Sequence, residues 1–147
     1  MKRKIAYWAK AVFILLLLAG GNSALSALTI INEMNENVQD STIFPVKDLY
    51  DSFKKDETAA GEKYAGKTMT ITGFVVYVGP DVYALPSVEL SETKGGKSRS
   101  LCVLPFSDYF ELRKVSKGDK VVVTGEVRGF YEKGDQVLMK QCKIQGK

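Results

Sequence analysis

The stretch that most constrains the fold is residues 117–144, KGDKVVVTGEVRGFYEKGDQVLMKQCKI. The pattern predicts one long β-hairpin, with a strand at about residues 120–130, a turn at Gly134-Asp135 and a return strand at about residues 136–144. Apolar and polar side chains alternate along the first strand, with Val121, Val123 and Val127 on one face and Lys120, Thr124, Glu126 and Arg128 on the other. This period of two is typical of an antiparallel strand with one buried face.

An earlier segment repeats the design of this strand. Gly66-Lys67 opens a run that reaches Thr72-Gly73, just as Gly118-Asp119 opens a run that reaches Thr124-Gly125. A glycine inside a strand weakens it unless the chain bends or bulges there. Two strands with a glycine at the same place predict a small, strongly curved barrel.

The excess positive charge of the chain lies at its N-terminus. The chain has 21 basic and 17 acidic residues and a formal net charge of +4. Four of the basic residues fall in the first ten positions: Lys2, Arg3, Lys4 and Lys10. The remaining chain has 17 basic and 17 acidic residues. Its basicity therefore belongs to a targeting segment and not to a surface for nucleic acid.

The sequence contains no histidine and only two cysteines. The usual general base near neutral pH and the commonest metal ligand are therefore missing. We expect no catalytic site, no metal site and no cofactor.

Residues 1–26 have the layout of an export signal. A basic start is followed by the apolar run AVFILLLLAG at residues 11–20 and by small residues up to a small–x–small site at residues 24–26. The alternative is an uncleaved membrane anchor, because residues 11–31 are long enough to cross a bilayer. Both interpretations place the protein outside the cytoplasm, secreted or anchored to the membrane.

The rest of the chain divides into a polar linker, residues 27–44, and a domain, residues 45–147. Helical spacing of apolar residues predicts one helix of four to five turns that ends near Gly66, where a helix C-terminus favours glycine. Glu57 interrupts the apolar stripe of this helix. An ion pair explains such a residue more simply than a functional carboxylate does.

Three strands are expected next, at about residues 67–78, 82–90 and 99–106, with Pro86 interrupting the second. A short helix is predicted at about residues 107–115, with Tyr109, Phe110 and Leu112 as its apolar residues. Five strands with a helix between the third and the fourth are the arrangement of the OB-fold, a five-stranded Greek-key barrel. The predicted fold is therefore mainly β, an OB-like barrel with an N-terminal helix.

Several short motifs occur in an order that has a known counterpart. They are Asp56-Glu57-Thr58-Ala59-Ala60, Lys63-Tyr64-Ala65-Gly66-Lys67, Thr72-Gly73, Leu101-Cys102-Val103, Lys117-Gly118-Asp119-Lys120-Val121 with Thr124-Gly125, and Met139-Lys140-Gln141-Cys142-Lys143-Ile144. With them the chain resembles the tRNA-anti-like OB-fold family of exported bacterial proteins. The family pattern tends to have Asn-Glu at the position of Asp56-Glu57. Many members look like lipoproteins, whereas the N-terminal segment here has no cysteine to carry a lipid. The resemblance implies an OB barrel outside the cytoplasm, with no established activity.

Cys102 and Cys142 fall in the third and fifth predicted strands, which are neighbours when an OB barrel closes. In an exported protein, cysteines on adjacent strands favour a structural disulfide. Buried free thiols and a redox-active pair are the alternatives.

A ligand-binding surface is expected on the second and third strands and the loops after the first and fourth, as in other OB-folds. The candidate residues there are Tyr77, Tyr83, Arg99, Arg128, Tyr131 and Lys133. Acidic residues are interleaved with these cations, which weakens the case for phosphate binding. The leading hypothesis is a non-catalytic binding module of the cell envelope for a protein, peptide or oligosaccharide. The alternative is single-stranded nucleic-acid binding, in which bases stack on the aromatic rings.

Overall fold

The computed structural model describes residues 42–146, and these form a closed β-barrel with helices on it. Its elements are β1 (Ile43–Pro45), α1 (Val46–Lys55), α2 (Glu57–Tyr64), β2 (Thr68–Pro80), β3 (Pro86–Ser91), β4 (Ser100–Val103), a 3₁₀-helix (Phe106–Lys114), β5 (Lys120–Tyr131) and β6 (Gln136–Gly146). The strand order is β1-β2-β3-β4-β6-β5, and pairing of β5 with β2 closes the barrel. The prediction of a mainly-β, OB-like barrel of five strands is confirmed.

The hairpin of β5 and β6 forms one wall of the barrel. The two strands pair antiparallel over most of their length, from Tyr131 opposite Gln136 to Val122 opposite Gly146. The valines of the predicted inner face, Val121, Val123 and Val127, are all buried in the core. The alternation in the sequence therefore identified the inner face of β5, because each one-residue step along a strand moves a side chain to the other face.

Gly125 lies where β6 approaches β5 most closely. A Cβ atom added at Gly125 would lie 2.5 Å from the Sγ atom of Cys142 and 3.1 Å from the carbonyl oxygen of Lys140. The register of the two strands shifts here, between Thr124 and Glu126. Gly73 has the same role in β2, since its added Cβ would lie 2.9 Å from the carbonyl oxygen of Ser91. At both positions, the glycine thus permits a close approach to a neighbouring strand that any side chain would block.

The prediction of a single N-terminal helix is wrong, because the chain divides at Asp56. The backbone of Asp56 is extended (φ −157°, ψ 97°), which ends α1, and its side chain accepts a hydrogen bond from the amide of Ala59 at 2.9 Å, which starts α2. Asp56 is therefore an N-cap, a position that suits Asn and Asp equally. Glu57 becomes the first residue of α2 and is exposed, so it does not interrupt a buried stripe.

The predicted linker also ends too late. Ile43 and Phe44 belong to β1, which pairs in parallel with β2 opposite Thr70 and Ile71. Residues 27–41 of that linker, and the predicted export signal before it, lie outside the described residues.

The second strand and the short helix differ from the prediction. β3 begins at Pro86, and residues 82–85 belong to a loop. The short helix is a 3₁₀-helix in which Leu112 is buried while Tyr109 and Phe110 are exposed. Among residues 42–146, no helix combines the length and the apolar character needed to cross a bilayer.

Candidate ligand-binding groove

A groove of about 610 Å³ lies on the outer face of the barrel. Its floor is formed by outward-facing side chains of β3, β4 and β6, and its ends by the last residues of β2, the loop after β2, and the end of β5. The lining residues are Tyr77, Pro80, Asp81, Val82, Tyr83, Leu85, Glu89, Leu101, Val103, Tyr131, Gln136, Leu138 and Lys140. This is the face, with its two flanking loops, on which OB-folds hold their ligands.

The loop after β2 is organised by Asp81. Its Oδ1 atom accepts hydrogen bonds from the amides of Tyr83 (2.8 Å) and Leu85 (2.9 Å). Its backbone amide donates to the carbonyl of Leu85, and its carbonyl accepts from Ala84, which has a left-handed backbone (φ 62°). An aspartate that bonds to backbone amides two and four residues later fixes a tight turn. The loop is therefore shaped by its own hydrogen bonds.

Three tyrosines line the groove, as the sequence predicted for this face. Tyr83 is at the tip of the loop and is 81% exposed. Tyr77 is at the end of β2, where its hydroxyl donates to the carbonyl of Pro80 at 2.8 Å. Tyr131 is the last residue of β5. The barrel thus brings to one groove three aromatic rings from separate segments of the chain.

The floor of the groove is aliphatic, and sequence analysis missed it. Leu101 is half-buried and lies next to the buried Cys102 along β4, and Leu138 is half-buried between the buried Val137 and Met139 along β6. Val103 also lines the groove and is itself buried. Apolar residues at the outward positions of these two strands could have indicated the floor of the groove, because the outward positions of a solvated sheet face are usually polar.

Among the described residues, the charged groups that line the groove are two carboxylates and one ammonium group, from Asp81, Glu89 and Lys140. Glu89 Oε2 accepts a hydrogen bond from Gln136 Nε2 at 2.8 Å, and the same amide nitrogen lies 2.5 Å from Ser98 Oγ. Glu89 is thereby held by a neutral amide. The groove is neither basic nor strongly acidic.

The three cations predicted for the site do not line the groove. The guanidinium of Arg99 lies 4.4 Å above the ring of Tyr50 and forms an ion pair with Glu92 at 3.2 Å. Arg128 pairs with Glu126 on the exposed face of β5 at 2.7 Å. Lys133 is exposed in the turn between β5 and β6. Arg99 and Arg128 are thus occupied by structural contacts.

The turn after β5 is fastened to α1 through Asp135. The hydroxyl of Tyr50 lies 3.0 Å from both carboxylate oxygens of Asp135, and Lys54 and Lys97 each form an ion pair with it. The hydrogen bonds from Lys97, Lys54 and Tyr50 hold the pKa of Asp135 well below its ordinary value. Tyr131, at the start of the predicted hairpin tip, therefore lines the groove. Asp135, at its end, binds Tyr50, Lys54 and Lys97 and holds the turn in place.

Cys102 and Cys142 are buried neighbours, and both are free thiols in this structure. The strands that carry them, β4 and β6, pair directly, as predicted. The contact with Cys102, together with burial, raises the pKa of the Cys142 thiol. The disulfide between them stays a prediction. Within residues 42–146, no cluster of three or more potential metal ligands is present.

A second exposed aromatic surface lies on the 3₁₀-helix. Phe106 and Phe110 are 72% and 65% exposed, and each is in ring contact with Tyr109 at 6.5 Å. The guanidinium of Arg113 covers the ring of Phe110 at 4.9 Å. These residues do not line the groove.

Comparison with known proteins assigns the family. The tRNA_anti-like family model matches residues 1–143. The chain belongs to the tRNA_anti-like family. No curated protein matches it.

Two solved structures show how far this tRNA_anti-like barrel resembles others. A lipoprotein of Klebsiella pneumoniae, described as a candidate nucleic acid-binding protein, aligns over 74% of this chain and 95% of its own, with 15% identity and a TM-score of 0.59. An OBody bound to hen egg-white lysozyme aligns over 58% of this chain and 87% of its own, with 20% identity and a TM-score of 0.42. At 15% identity, the likeness to the Klebsiella protein shows a shared fold and no more than that.

Proposed function

We propose that this protein is a non-catalytic binding module that acts outside the cytoplasm and holds a segment of a protein or oligosaccharide in the tyrosine groove. The observation that carries the proposal is the convergence of Tyr77, Tyr83 and Tyr131, from three separate segments, on one groove of about 610 Å³. A concave, largely apolar site with a few fixed polar groups is the usual form of a binding site. The lack of histidine in the sequence supports a role without catalysis.

The location rests on the N-terminal segment. A basic start, ten apolar residues and a small–x–small site are features of a signal for export. The Klebsiella protein of the same fold is a lipoprotein, which is in keeping with a place in the cell envelope.

Site-specific photo-crosslinking tests the groove directly. A photoreactive amino acid replaces Tyr83 in one variant and Arg128, on the exposed face of β5, in the control. Both full-length proteins are produced in their own cells and irradiated. We expect covalent adducts from position 83 and few from position 128. Equal adduct yields at the two positions would contradict the proposal.

Single-stranded nucleic acid is the second candidate ligand. Tyrosine rings on an OB-fold face suit base stacking, and the Klebsiella lipoprotein of similar fold is described as a candidate nucleic acid-binding protein. The charges of the groove oppose this candidate, because Asp81 and Glu89 outnumber Lys140. A salt titration with a labelled oligonucleotide separates the two, since phosphate-driven binding must weaken steeply as salt is added.

A further inference from the structure

We infer that the groove is built for a peptide segment that carries a lysine or arginine side chain beside apolar residues. This inference rests on the proposed function and names the class of its ligand. Three features of the groove support it: carboxylates that form no ion pair within residues 42–146, tyrosine rings that are open to solvent, and an aliphatic floor.

The carboxylates of the groove are fixed in position but not neutralised. Asp81 is held by two backbone amides and Glu89 by the side-chain amide of Gln136. Each of these interactions uses one carboxylate oxygen and leaves the negative charge in place. The sole lysine that lines the groove, Lys140, forms no ion pair with either carboxylate in the described part of the chain.

Some carboxylates elsewhere in the domain are neutralised by a cationic side chain. Ion pairs within residues 42–146 join Asp51 to Lys47, Asp135 to Lys54 and Lys97, Glu92 to Arg99, Glu111 to Lys114, and Glu126 to Arg128. Asp81 and Glu89 form no such ion pair within residues 42–146, and both lie in the groove that the tyrosines line. Complementary charge is what fixes the register of a ligand in such a site.

The tyrosines and the floor fit the rest of a cationic side chain. An ammonium or guanidinium group is attracted to the face of a tyrosine ring, and this fold already places Arg99 over Tyr50. The methylene groups of lysine and arginine bury well against aliphatic surface, which Leu101 and Leu138 provide. Extended peptides dock in aromatic-lined grooves of this kind.

The same features disfavour the other ligand classes. A phosphodiester chain would place its charges next to Asp81 and Glu89 with Lys140 alone to balance them. An oligosaccharide can stack on the tyrosines, but it would leave the leucines of the floor against hydroxyl groups, whose burial without partners is costly.

A random peptide library displayed on phage provides the test. Full-length wild-type protein, the near-isosteric variant Glu89→Gln and the control Arg128→Gln are each panned against the same library. We expect peptides enriched in lysine or arginine next to apolar residues from the wild type and from Arg128→Gln. Glu89→Gln should lose this enrichment. A selected peptide should bind Glu89→Gln about tenfold more weakly than the wild type, because a charged hydrogen bond is lost.

The outcomes separate this inference from the proposed function. Enriched peptides without a cationic residue, or equal cationic enrichment with Glu89→Gln, overturn the inference. Failure to enrich any peptide also overturns it. If a neutral oligosaccharide binds wild type but not Tyr83→Ala, the inference is wrong while the groove remains a binding site. If position 83 gives no crosslinked adducts in cells, the proposed function itself fails.

Discussion

Gly125 shows how a single residue sets the distance between β5 and β6. An added Cβ atom would lie too close to the Sγ atom of Cys142, at 2.5 Å, and would also contact the carbonyl oxygen of Lys140, at 3.1 Å. Because one of these atoms is backbone, the neighbours cannot relax by a side-chain rotation alone. The sequence located this glycine correctly, as one of a matched pair inside two strands.

We predict that Gly125→Ala destabilises the domain by about 1–3 kcal/mol, the usual cost of overpacking a core. The matched control is Gly61→Ala in α2, where an added Cβ would lie more than 4 Å from the other atoms of residues 42–146 outside its own helix backbone and its chain neighbours. Alanine is the better helix former, so the control should stabilise the domain by about 0.5–1 kcal/mol. Urea denaturation of both variants measures the difference, and equal midpoints would contradict the account of Gly125.

Asp135 makes the stability of the hairpin turn depend on pH. Its carboxylate is bound by Lys97, Lys54 and Tyr50, so its pKa in the folded state lies below the ordinary value of 3.8. The folded state therefore binds the proton less readily than the unfolded chain does. The stabilisation is fully present above that ordinary value, and it is lost as the pH falls toward the lower pKa of the folded state.

We predict that Asp135→Asn is less stable than the wild type at pH 7 and pH 5, and that this difference shrinks at pH 3. Asparagine is a suitable replacement because it also tolerates the left-handed backbone at this position (φ 52°). Denaturation curves at the three pH values check the prediction. A stability difference that does not change with pH would show that the ion pairs contribute nothing.

The position of a candidate site residue was predictable where it follows from the strand topology, and not where it depends on an ion pair. Tyr77, Tyr83 and Tyr131 fall at loops and strand ends that OB-folds use, so topology alone located them. The same topology predicted that Arg99 and Arg128 would belong to the ligand-binding surface, but each of them forms an ion pair with a glutamate. Which acid a flexible cationic side chain pairs with is decided by tertiary contacts that a linear pattern does not contain.

At the scale of elements, strands with strict alternation were predicted to within a few residues, and irregular elements were not. β5 follows its period of two from Lys120 to Val127, whereas β6 loses it at Gln141, whose backbone is left-handed (φ 53°). α1 and α2 share a run of apolar residues, yet the N-cap of Asp56 separates them. The 3₁₀-helix has exposed aromatic residues at positions that read as a buried stripe. Local hydrogen bonding of short polar side chains competes with periodicity in such places.

Because β4 pairs with β6, the thiols of Cys102 and Cys142 are neighbours, and the predicted disulfide between them can be tested under oxidising conditions. Oxidation joins the two Sγ atoms and releases two protons and two electrons to an oxidant such as glutathione disulfide. We predict that the oxidised form is more stable by about 4 kcal/mol, because the bond closes a loop of about forty residues. The measurements are intact mass without reductant and denaturation with and without it.

The double variant Cys102→Ala, Cys142→Ala controls for the thiols themselves. Its stability should not respond to reductant. Two free thiols that persist after prolonged exposure of the wild type to oxidant would refute the disulfide and leave the interpretation of buried structural thiols.

At the scale of the whole molecule, the proposed export raises the question of whether the N-terminal segment is removed. The proposed export leaves two forms, a processed chain that begins near Ala27 and a full-length chain held in the membrane. We predict processing at the small–x–small site of residues 24–26. Intact mass and N-terminal sequencing of the protein from its own cells measure this directly. A mature protein that still begins at Met1 would show the anchored form instead.

The loop of residues 81–85 has a consequence for how a family of such proteins can diversify. Its turn is fixed by hydrogen bonds among Asp81, Tyr83, Ala84 and Leu85, and it joins β2 to β3 at paired prolines, Pro80 and Pro86. The exposed side chains at its tip, Val82 and Tyr83, contribute to the groove. The hydrogen bonds that fix this turn come from Asp81 and from backbone groups, so new side chains at positions 82 and 83 would change the surface of the groove and leave those bonds in place.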